Sequence, residues 1–379
     1  MKQKFIYFLV IIICLFFLPN KALAATPAAT LTVDGVLIGT YASAQEAVDA
    51  ITLTPGSNFI IEIADGKVSD SLNISQQPNK NVVIKPQAGA SVTFTNSIKI
   101  DGNGNLNSPE TLLIEGLNFD FNSKSPEYVI HFTLIPPRAG YSYPHNITIN
   151  GCTFKGVVDK TIAVQSVTGG ARNISIINCT ATDMHSLAQF RSVSGYAFVK
   201  NSTISNSSGG VNFYGLGDLI ISNCTFDVVG YAVGSGQISG TISNTGSVTI
   251  NNSILNSNST EGTVVFRGDS TYKINIIHSN VVNANTNGVS IQNLNQTSEE
   301  QYKIDIVESD LTGQITGINP STIAIIDDPN VANGPVNIDS SDNRILYVII
   351  KIILILSIII LIPLIIILAI MRRIFPRFR

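Results

Sequence analysis

Apolar and polar residues alternate in short segments along most of the chain, and one such pattern, the repeat, occurs seven times between residues 146 and 312. Each repeat contains a short Ile- and Val-rich strand, a polar residue, a small residue and a second short strand. The repeats read NITINGCTF (146–154), NISIINCTA (173–181), YAFVKNSTI (196–204), LIISNCTF (219–226), SVTINNSIL (247–255), KINIIHSNV (273–281) and KIDIVESDL (303–311). Alternation over about four to eight residues is typical of a β-strand with one buried face. The pattern therefore predicts pairs of short strands that are joined by the same turn each time.

The small residue after the turn gives the register of the repeats. These residues are Cys152, Cys179, Ser202, Cys224, Ser253, Ser279 and Ser309, at intervals of 27, 23, 22, 29, 26 and 30 residues. A constant segment with variable spacing is typical of a solenoid whose strands stack while its loops differ. We expect this column to point inward, with the cysteines packed as unreactive thiols. For Cys152 and Cys179, on neighbouring rungs, the alternative is a disulfide.

The residue before each small residue indicates the geometry of the turn. These residues are Gly151, Asn178, Asn201, Asn223, Asn252, His278 and Glu308. Asparagine tolerates left-handed backbone angles, and its amide can bond to the amide one rung away, at about 4.8 Å. The sequence therefore predicts an asparagine ladder along one corner of the solenoid, formed by Asn178, Asn201, Asn223 and Asn252.

A further strand precedes each repeat, so that a coil contains three strands. The inward positions of this strand are assigned to Phe132, Val164, Phe190, Phe213, Gly234, Phe266, Ile291 and Ile315. Alternation then directs the flanking residues outward. Less regular coils begin at residues 59–66 and 97–102, which gives about ten coils in an ectodomain of residues 25–326.

Residues 43–53 (SAQEAVDAITL) predict a capping helix at the start of the solenoid, because Ser43 and Glu46 have the spacing of a capping box. Three strands per coil, an asparagine ladder and an inner column of small residues resemble the right-handed parallel β-helix of the pectin-lyase-like superfamily. The resemblance covers about residues 31–326 and implies an all-β solenoid. It also implies that ligands meet the outer face of the strand that precedes each repeat.

Both ends of the chain carry targeting patterns. Residues 1–24 have a basic start, an apolar run and small residues at their end, which predicts a secretory signal peptide. Residues 345–371 are long and apolar enough for a transmembrane helix, and the basic residues 372–379 predict a cytoplasmic tail. Residues 327–344 are expected to form a stalk. The sequence thus predicts a single-pass type I protein of the cell membrane with an extracellular ectodomain.

The charge of the predicted ectodomain and stalk limits the partners. Residues 25–344 carry 15 basic and 26 acidic side chains, a net charge of −11, which disfavours nucleic acid. The four histidines show no spacing typical of metal ligands, so no metal site is predicted, and no cofactor is predicted either. The partners that the sequence suggests are the membrane and a glycan or another cell-surface ligand.

The outer positions of the preceding strands offer amide and guanidinium groups and an aromatic ring. They are Gln165, Gln189, Arg191, Asn212, Tyr214, Arg267 and Gln292, and a neighbouring loop adds Arg138, Tyr141 and Tyr143. Such groups can bond sugar hydroxyls, so these residues are candidates for glycan contact. The competing interpretation is that outward strand residues are polar only because water surrounds them.

Catalytic residues are harder to find on this face. Hydrolysis of glycosides needs two carboxyl groups about 5 to 9.5 Å apart, and a lyase needs a base beside carboxylates that bind calcium. The best remaining constellation is Lys99, Asp101 and His131 on adjacent rungs. We therefore predict a non-catalytic adhesin-like, glycan-binding or structural module. The alternative is a membrane-tethered polysaccharide lyase or another carbohydrate-active enzyme.

Overall fold

The computed structural model describes residues 28–75, 80–101, 111–121, 128–132, 146–166, 173–191, 195–214, 217–235, 245–267, 271–286, 288–294, 303–318 and 320–326. For Asp101, Arg191 and Tyr214 it describes the backbone alone. The predicted signal peptide, stalk, transmembrane helix and tail lie outside the described residues, as do Arg138, Tyr141 and Tyr143. No helix in the described ranges is long and apolar enough to cross a membrane.

The described chain consists almost entirely of short strands. In chain order they are β1 (Ala29–Val33), β2 (Val36–Tyr41), β3 (Asn58–Ile63), β4 (Gly66–Val68), β5 (Leu72–Ser75), β6 (Asn81–Pro86), β7 (Val92–Phe94), β8 (Ile98–Asp101), β9 (Thr111–Glu115), β10 (Asn118–Asp120), β11 (Tyr128–Phe132), β12 (Asn146–Asn150), β13 (Thr153–Lys155), β14 (Ile162–Gln165), β15 (Asn173–Ile177), β16 (Thr180–Thr182), β17 (Ser186–Arg191), β18 (Tyr196–Lys200), β19 (Thr203–Ser207), β20 (Val211–Tyr214), β21 (Asp218–Ser222), β22 (Thr225–Val228), β23 (Val233–Gly234), β24 (Thr245–Asn251), β25 (Ile254–Ser257), β26 (Val264–Phe266), β27 (Thr271–Ile277), β28 (Asn280–Asn283), β29 (Val289–Asn293), β30 (Lys303–Val307), β31 (Asp310–Thr312), β32 (Gln314–Thr316) and β33 (Ile323–Ile326). Helix α1 (Ala44–Leu53) lies between β2 and β3, and a 3-10 helix (Pro320–Thr322) precedes β33.

These strands form three sheets. Sheet A has 13 strands in the order β2-β1-β3-β6-β9-β12-β15-β18-β21-β24-β27-β30-β33, while sheet B (β4 to β31) and sheet C (β5 to β32) have 10 strands each. Each coil adds one strand to each sheet, and strands of successive coils pair in parallel, as β12 and β15 do. The seven repeats form consecutive coils from β12 onward, and three less regular coils, β3 to β11, precede them. The predicted parallel solenoid with three strands per coil is confirmed.

The turn between sheets A and B has the same backbone geometry in eight consecutive coils. Its φ lies between 42° and 64° at Gly116, Gly151, Asn178, Asn201, Asn223, Asn252, His278 and Glu308. Asn201 Nδ2 donates to Asn178 Oδ1 at 3.0 Å, and Asn223 Nδ2 donates to Asn201 Oδ1 at 3.3 Å. The predicted ladder is therefore confirmed for these three residues. Asn252 shares the left-handed φ, but among the described residues its amide makes no bond to that of Asn223.

The small residues from Cys152 to Ser279 form a buried inner column, as predicted, whereas Ser309 in the last repeat is half-buried. Cys179 N–H donates to Ser202 Oγ, and Cys224 N–H donates to Ser253 Oγ, both at 3.1 Å. Each serine hydroxyl in turn donates to the carbonyl two residues earlier, as Ser202 does to Lys200 at 2.8 Å. Cys152, Cys179 and Cys224 are free, buried thiols, so the alternative of a disulfide between the first two is not realised.

Helix α1 begins as the capping box predicts. The N-cap Ser43 accepts from Glu46 N–H at 3.2 Å, and Glu46 Oε2 accepts from Ala42 N–H at 3.1 Å. The buried face of the helix consists of Ala44, Ala47, Val48 and Ile51. These apolar side chains cover the first coil, whose inner surface would otherwise meet water.

The predicted inward column of sheet C is wrong in part. The observed pairs are Val164 with Ala188 rather than Phe190, Gly234 with Asn212 rather than Phe213, and Ile291 with Val264 rather than Phe266. The cause is that a sheet C strand has two inward residues around one outward residue, as Val211 and Phe213 lie around Asn212. The prediction used the first inward position in some strands and the second in others. It therefore assigned Gly234 to the inward column, whereas Gly234 pairs with the outward residue Asn212.

Candidate functional site

One column of residues runs along the outer side of sheet C, and strand pairing gives its order. This outer column contains Lys99, His131, Gln165, Gln189, Asn212, Gly234, Val265, Gln292 and Thr316. Successive members lie one rung apart, at about 4.8 Å. The fold therefore places Gln165, Gln189 and Asn212, three of the predicted ligand residues, on consecutive rungs, while Gln292 lies three rungs beyond Asn212. Arg191 and Tyr214 are also backbone neighbours, on adjacent rungs of the same sheet.

Two of these amides are less accessible than alternation alone suggests. The exposed fraction is 2% for Gln165 and 3% for Asn212. Gln165 Nε2 donates to Gln189 Oε1 at 3.2 Å, so these two side chains bond to each other along the column. Gln165 and Asn212 are therefore not part of a simple solvated face.

Unused hydrogen-bond acceptors concentrate in the outer column. Seven buried side-chain nitrogen and oxygen atoms in the described part of the chain have no hydrogen-bond partner there. Four belong to this column, namely Gln165 Oε1, Asn212 Oδ1, Gln292 Oε1 and Thr316 Oγ1. A buried acceptor without a donor costs about 1–3 kcal/mol. The outer column thus contains four buried oxygen atoms that could each accept a hydrogen bond but have no donor among the described residues.

Tyr231, in the turn that leads into β23, lies over this column. A Cβ atom on Gly234 would lie 2.5 Å from Cε2 of the Tyr231 ring and 3.2 Å from Asn212 Oδ1. The first distance is shorter than any real carbon contact, so the ring can lie against the strand only because residue 234 is glycine. Gly234 therefore makes room for Tyr231.

The next coil adds a guanidinium and a carboxylate to this place. The Arg267 guanidinium carbon lies 5.6 Å from the centroid of the Tyr231 ring, and Arg267 Nη2 forms an ion pair with Glu261 Oε2. The backbone N–H of Arg267 also donates to Ser235 Oγ at 2.9 Å. This bond connects the backbone of Arg267 to the preceding coil. We call Asn212, Tyr231, Gly234, Glu261 and Arg267 the Tyr231 cluster.

The Tyr231 cluster is ordered but open to solvent on its charged side. The Arg267 side chain is 33% exposed and that of Glu261 is 43% exposed. A cation over a tyrosine face gains about 0.5–1 kcal/mol at an exposed site, and a surface ion pair about as little. These contacts contribute modestly to stability, but they fix the plane of the guanidinium.

The predicted catalytic constellation lies nearer the start of the column. Lys99 and His131 are neighbours on adjacent rungs, and the His131 ring packs against Tyr128 with centroids 4.7 Å apart. Asp101 is in the same strand as Lys99 and pairs through its backbone with Ser75. The structure thus brings two of the three residues side by side, while the position of the Asp101 carboxylate stays a prediction.

The buried thiols do not supply a nucleophile. Burial raises the pKa of Cys224 to about 11. The hydrogen bond with Cys179, together with burial, raises the pKa of Cys152 well above its usual value. Only the thiolate is reactive, so Cys152 and Cys224 are inert near neutral pH. The hydrogen bond with Cys152 lowers the pKa of Cys179, but that thiol is buried and out of reach of a substrate. No group of three His, Cys, Asp or Glu side chains suited to a metal ion occurs in the described ranges.

Reasoning from the sequence missed Tyr231 and Glu261. Both lie in turns between sheets B and C, outside the repeat, so the periodic pattern gives no sign of them. Gly234 is the signal that could have pointed to Tyr231, three residues earlier in the sequence. A glycine in a strand often marks a close approach by another group.

Residues 141–307 match a family model described as the right handed beta helix region. The chain contains a right-handed parallel β-helix. The matched range covers the first six regular coils and β30, the first strand of the seventh. The predicted right-handed parallel β-helix is therefore confirmed over these residues. No curated protein matches the chain in sequence.

Two solved structures resemble this β-helix. One is a crystal structure of PfbA, a surface adhesin of Streptococcus pneumoniae, with 11% identity over 70% of this chain and 86% of that chain and a TM-score of 0.30. The other is the A-module of the mannuronan C-5 epimerase AlgE4 of Azotobacter vinelandii, with 11% identity over 76% of this chain and 94% of that chain and a TM-score of 0.30. At this identity and score, neither protein bears on whether this chain is an adhesin or an enzyme.

Proposed function

We propose that the outer face of sheet C binds a carbohydrate and that the Tyr231 cluster is the centre of this contact. The observation that supports the proposal is the state of the Arg267 guanidinium. It is held between the Tyr231 ring and the Glu261 carboxylate, yet one third of the arginine side chain is exposed. A group that is oriented before the ligand arrives loses little side-chain entropy on binding.

The chemistry of the cluster fits a sugar better than an apolar or an anionic ligand. Arg267 offers N–H donors and Glu261 offers an acceptor, so together they can bond hydroxyl groups, which both donate and accept. Because Glu261 neutralises Arg267, the cluster does not attract anions as a lone arginine would. Asn212 Oδ1 lies on the other side of Gly234 from the ring, but it is buried and therefore not accessible to a ligand.

The cluster favours binding over turnover. Hydrolysis needs two carboxyl groups, and among the described side chains of the cluster only Glu261 has one. A lyase needs a base beside carboxylates that bind calcium, and no such group of carboxylates occurs among the described residues. Lys99 and His131, on adjacent rungs, remain the residues for the alternative of a polysaccharide lyase or another carbohydrate-active enzyme.

The proposal includes export and anchoring as a type I protein of the cell membrane. It rests on the sequence of residues 1–24, 345–371 and 372–379. Protease added to intact cells is expected to digest the ectodomain and to leave a tag after residue 379 attached to the membrane. A chain that stops at residue 344 is expected in the medium, and its retention in the membrane fraction would contradict the anchor.

A glycan screen on the full-length protein in nanodiscs tests the binding proposal. The Arg267→Ala variant is expected to lose at least about tenfold in affinity for any glycan that the wild type binds, since a charge-assisted hydrogen bond contributes about 1.5–3 kcal/mol. Lys303→Ala is the matched control, because Lys303 is a partly exposed cation that pairs with Asp305 on sheet A. It removes the same charge away from the cluster and is expected to bind as the wild type does.

Two results would contradict the binding proposal. One is an equal loss in Arg267→Ala and Lys303→Ala, which would indicate a general effect of charge. The other is release of unsaturated or reducing ends by the wild type, with or without calcium, that disappears in Lys99→Ala or His131→Ala. That second result would favour the enzyme.

A further inference from the structure

Asn258 begins the turn that leads from β25 in sheet B to β26 in sheet C. With Ser259 and Thr260 it forms an N-x-S/T sequon, the acceptor motif for an N-linked glycan. We propose that Asn258 is an N-glycosylation site. The proposal rests on the export that is part of the proposed function, because this motif is used in secreted proteins.

The turn presents the two side chains of the sequon that take part in glycosylation. Asn258 and Thr260 are exposed, whereas Ser259 between them is 8% exposed. Ser259 Oγ accepts from two backbone N–H groups later in the same turn, at 3.1 and 3.3 Å. The serine is therefore anchored inward, and its two neighbours are left on the surface.

The amide of Asn258 is available for the transfer. Asn285 Nδ2 donates to the Asn258 carbonyl at 3.4 Å, but the Asn258 side chain makes no hydrogen bond among the described residues. In the reaction, Nδ2 attacks C1 of the first sugar of a lipid-linked oligosaccharide. The bond between C1 and the diphosphate oxygen breaks, the amide gives one proton to a base of the transferase, and the lipid diphosphate leaves.

Nine other sequons occur in the chain, and three of them lie on the corner ladder. Asn178, Asn201 and Asn223 each donate an amide N–H to the asparagine one rung earlier, at 2.9, 3.0 and 3.3 Å. Their left-handed φ lies between paired strands. A transferase can therefore reach these amides only after the coils open locally.

Three more sequons also have bonded amides. Asn173 Nδ2 donates to Asn146 Oδ1 at 2.7 Å, so these two asparagines hold each other on adjacent strands of sheet A. Asn206 Nδ2 donates to Asp183 Oδ1. These side chains, like those of the ladder, must break a bond before they can react.

The last three sequons differ from Asn258 in other ways. The third residue of the Asn251 sequon is Ser253, which is 1% exposed in the inner column. Asn73 lies within β5, and the Gln45 side chain bonds both its backbone N–H and its carbonyl, at 2.7 and 3.0 Å. Asn295 lies outside the described residues.

Transfer to the purified full-length chain in detergent tests the assignment. The chain is made without a transferase and then incubated with a lipid-linked oligosaccharide and a single-subunit oligosaccharyltransferase that accepts N-x-S/T. A proteolytic digest of the same chain gives the rate for each sequon as an unfolded peptide. Divided by its peptide rate, the rate at Asn258 is expected to exceed that at Asn201 at least about tenfold, because Asn201 must first be released by local unfolding. Equal ratios, or no reaction at Asn258 when its peptide reacts, would overturn the proposal.

Two variants of the third residue give a matched control. Thr260→Ser keeps the hydroxyl that the motif requires and is expected to retain the modification, whereas Thr260→Ala is expected to abolish it. Both leave Asn258 in place. Modification of Thr260→Ala at the wild-type rate would mean that Asn258 reacts outside the motif, which contradicts the proposal.

Glycopeptides of the protein from its own cells show whether the site is used. Enzymatic release of the glycan in heavy-oxygen water marks a modified asparagine as labelled aspartate, and the label is expected at Asn258. An unlabelled Asn258 in a chain that has lost residues 1–24 would overturn the proposal. A chain that retains residues 1–24 would contradict export instead, and the reaction of the purified chain then decides the assignment.

Discussion

The corner ladder offers the sharpest test of what holds the coils in register. Asn201 occupies the middle of the ladder, with φ at 49°. Its amide donates to Asn178 and accepts from Asn223, at 3.0 and 3.3 Å. Replacing it with alanine removes both side-chain bonds and leaves an L-residue with a Cβ in the left-handed region. Replacing it with glycine removes the same bonds without that strain.

The two substitutions separate the two effects. Each lost bond costs about 0.5–1.5 kcal/mol, and the left-handed conformation costs alanine about 1–2 kcal/mol. Because the corner is exposed, the lower half of each range applies. The free energy of unfolding is therefore expected to fall by about 2–3.5 kcal/mol in Asn201→Ala and by about 1–2 kcal/mol in Asn201→Gly, since glycine adopts this φ freely.

Urea unfolding of residues 25–344, followed by far-ultraviolet circular dichroism, measures both values. Asn258→Ala is the control, because Asn258 is an exposed asparagine outside the ladder and without a left-handed φ. It is expected to stay within about 0.5 kcal/mol of the wild type. If Asn201→Ala is no less stable than Asn201→Gly, the left-handed strain is not important. If both behave like Asn258→Ala, the ladder does not stabilise the coils.

Three further predictions concern the corner, the inner column and the cluster. His278→Asn is expected to raise the free energy of unfolding by about 0.5 kcal/mol, because asparagine suits the left-handed corner and the lost contact between His278 Nε2 and Glu308 Oε2 is partly exposed. A lower urea midpoint would contradict this. The rate of Cys224 alkylation in the folded protein is expected to rise about tenfold per pH unit up to about pH 11, because burial raises the pKa of this thiol to about 11. A rate that stops rising near pH 9 in a stopped-flow or mass-spectrometric assay would refute this prediction. Gly234→Ala is expected to displace Tyr231 and to weaken glycan binding about as much as Arg267→Ala, with little change in thermal midpoint, whereas unchanged binding would exclude a role for the ring.

Much of the fold could be predicted because its signals are local and recur in every coil. Asn178 and Asn201 are surrounded by the same strand and turn, and each needs the same left-handed φ, so one argument serves for all corners. The column of Cys152 and its successors follows from the same register. In both cases the repeat itself carries the information.

The candidate site could be predicted only in part. Gln189 and Asn212 were assigned to the right face because strand alternation is local. The burial of Asn212 was missed, because alternation predicts an exposed outward residue and Tyr231, next to Gly234 on the neighbouring coil, lies outside the repeat. The outward position of Gly234 was missed because β23 has two residues, too few to show which is inward. Contacts made by turns of unequal length leave no periodic trace in the sequence.

The most direct test of the carbohydrate-binding face is to locate a bound glycan on it. A glycan from the screen, carrying a photoreactive group, is cross-linked to the full-length protein, and the modified peptides are identified by mass spectrometry. The proposal predicts labels in residues 229–235 and 259–267, around Tyr231 and Arg267, that disappear with excess unlabelled glycan. Competable labels confined to sheet B, or to sheet A away from these turns, would contradict it.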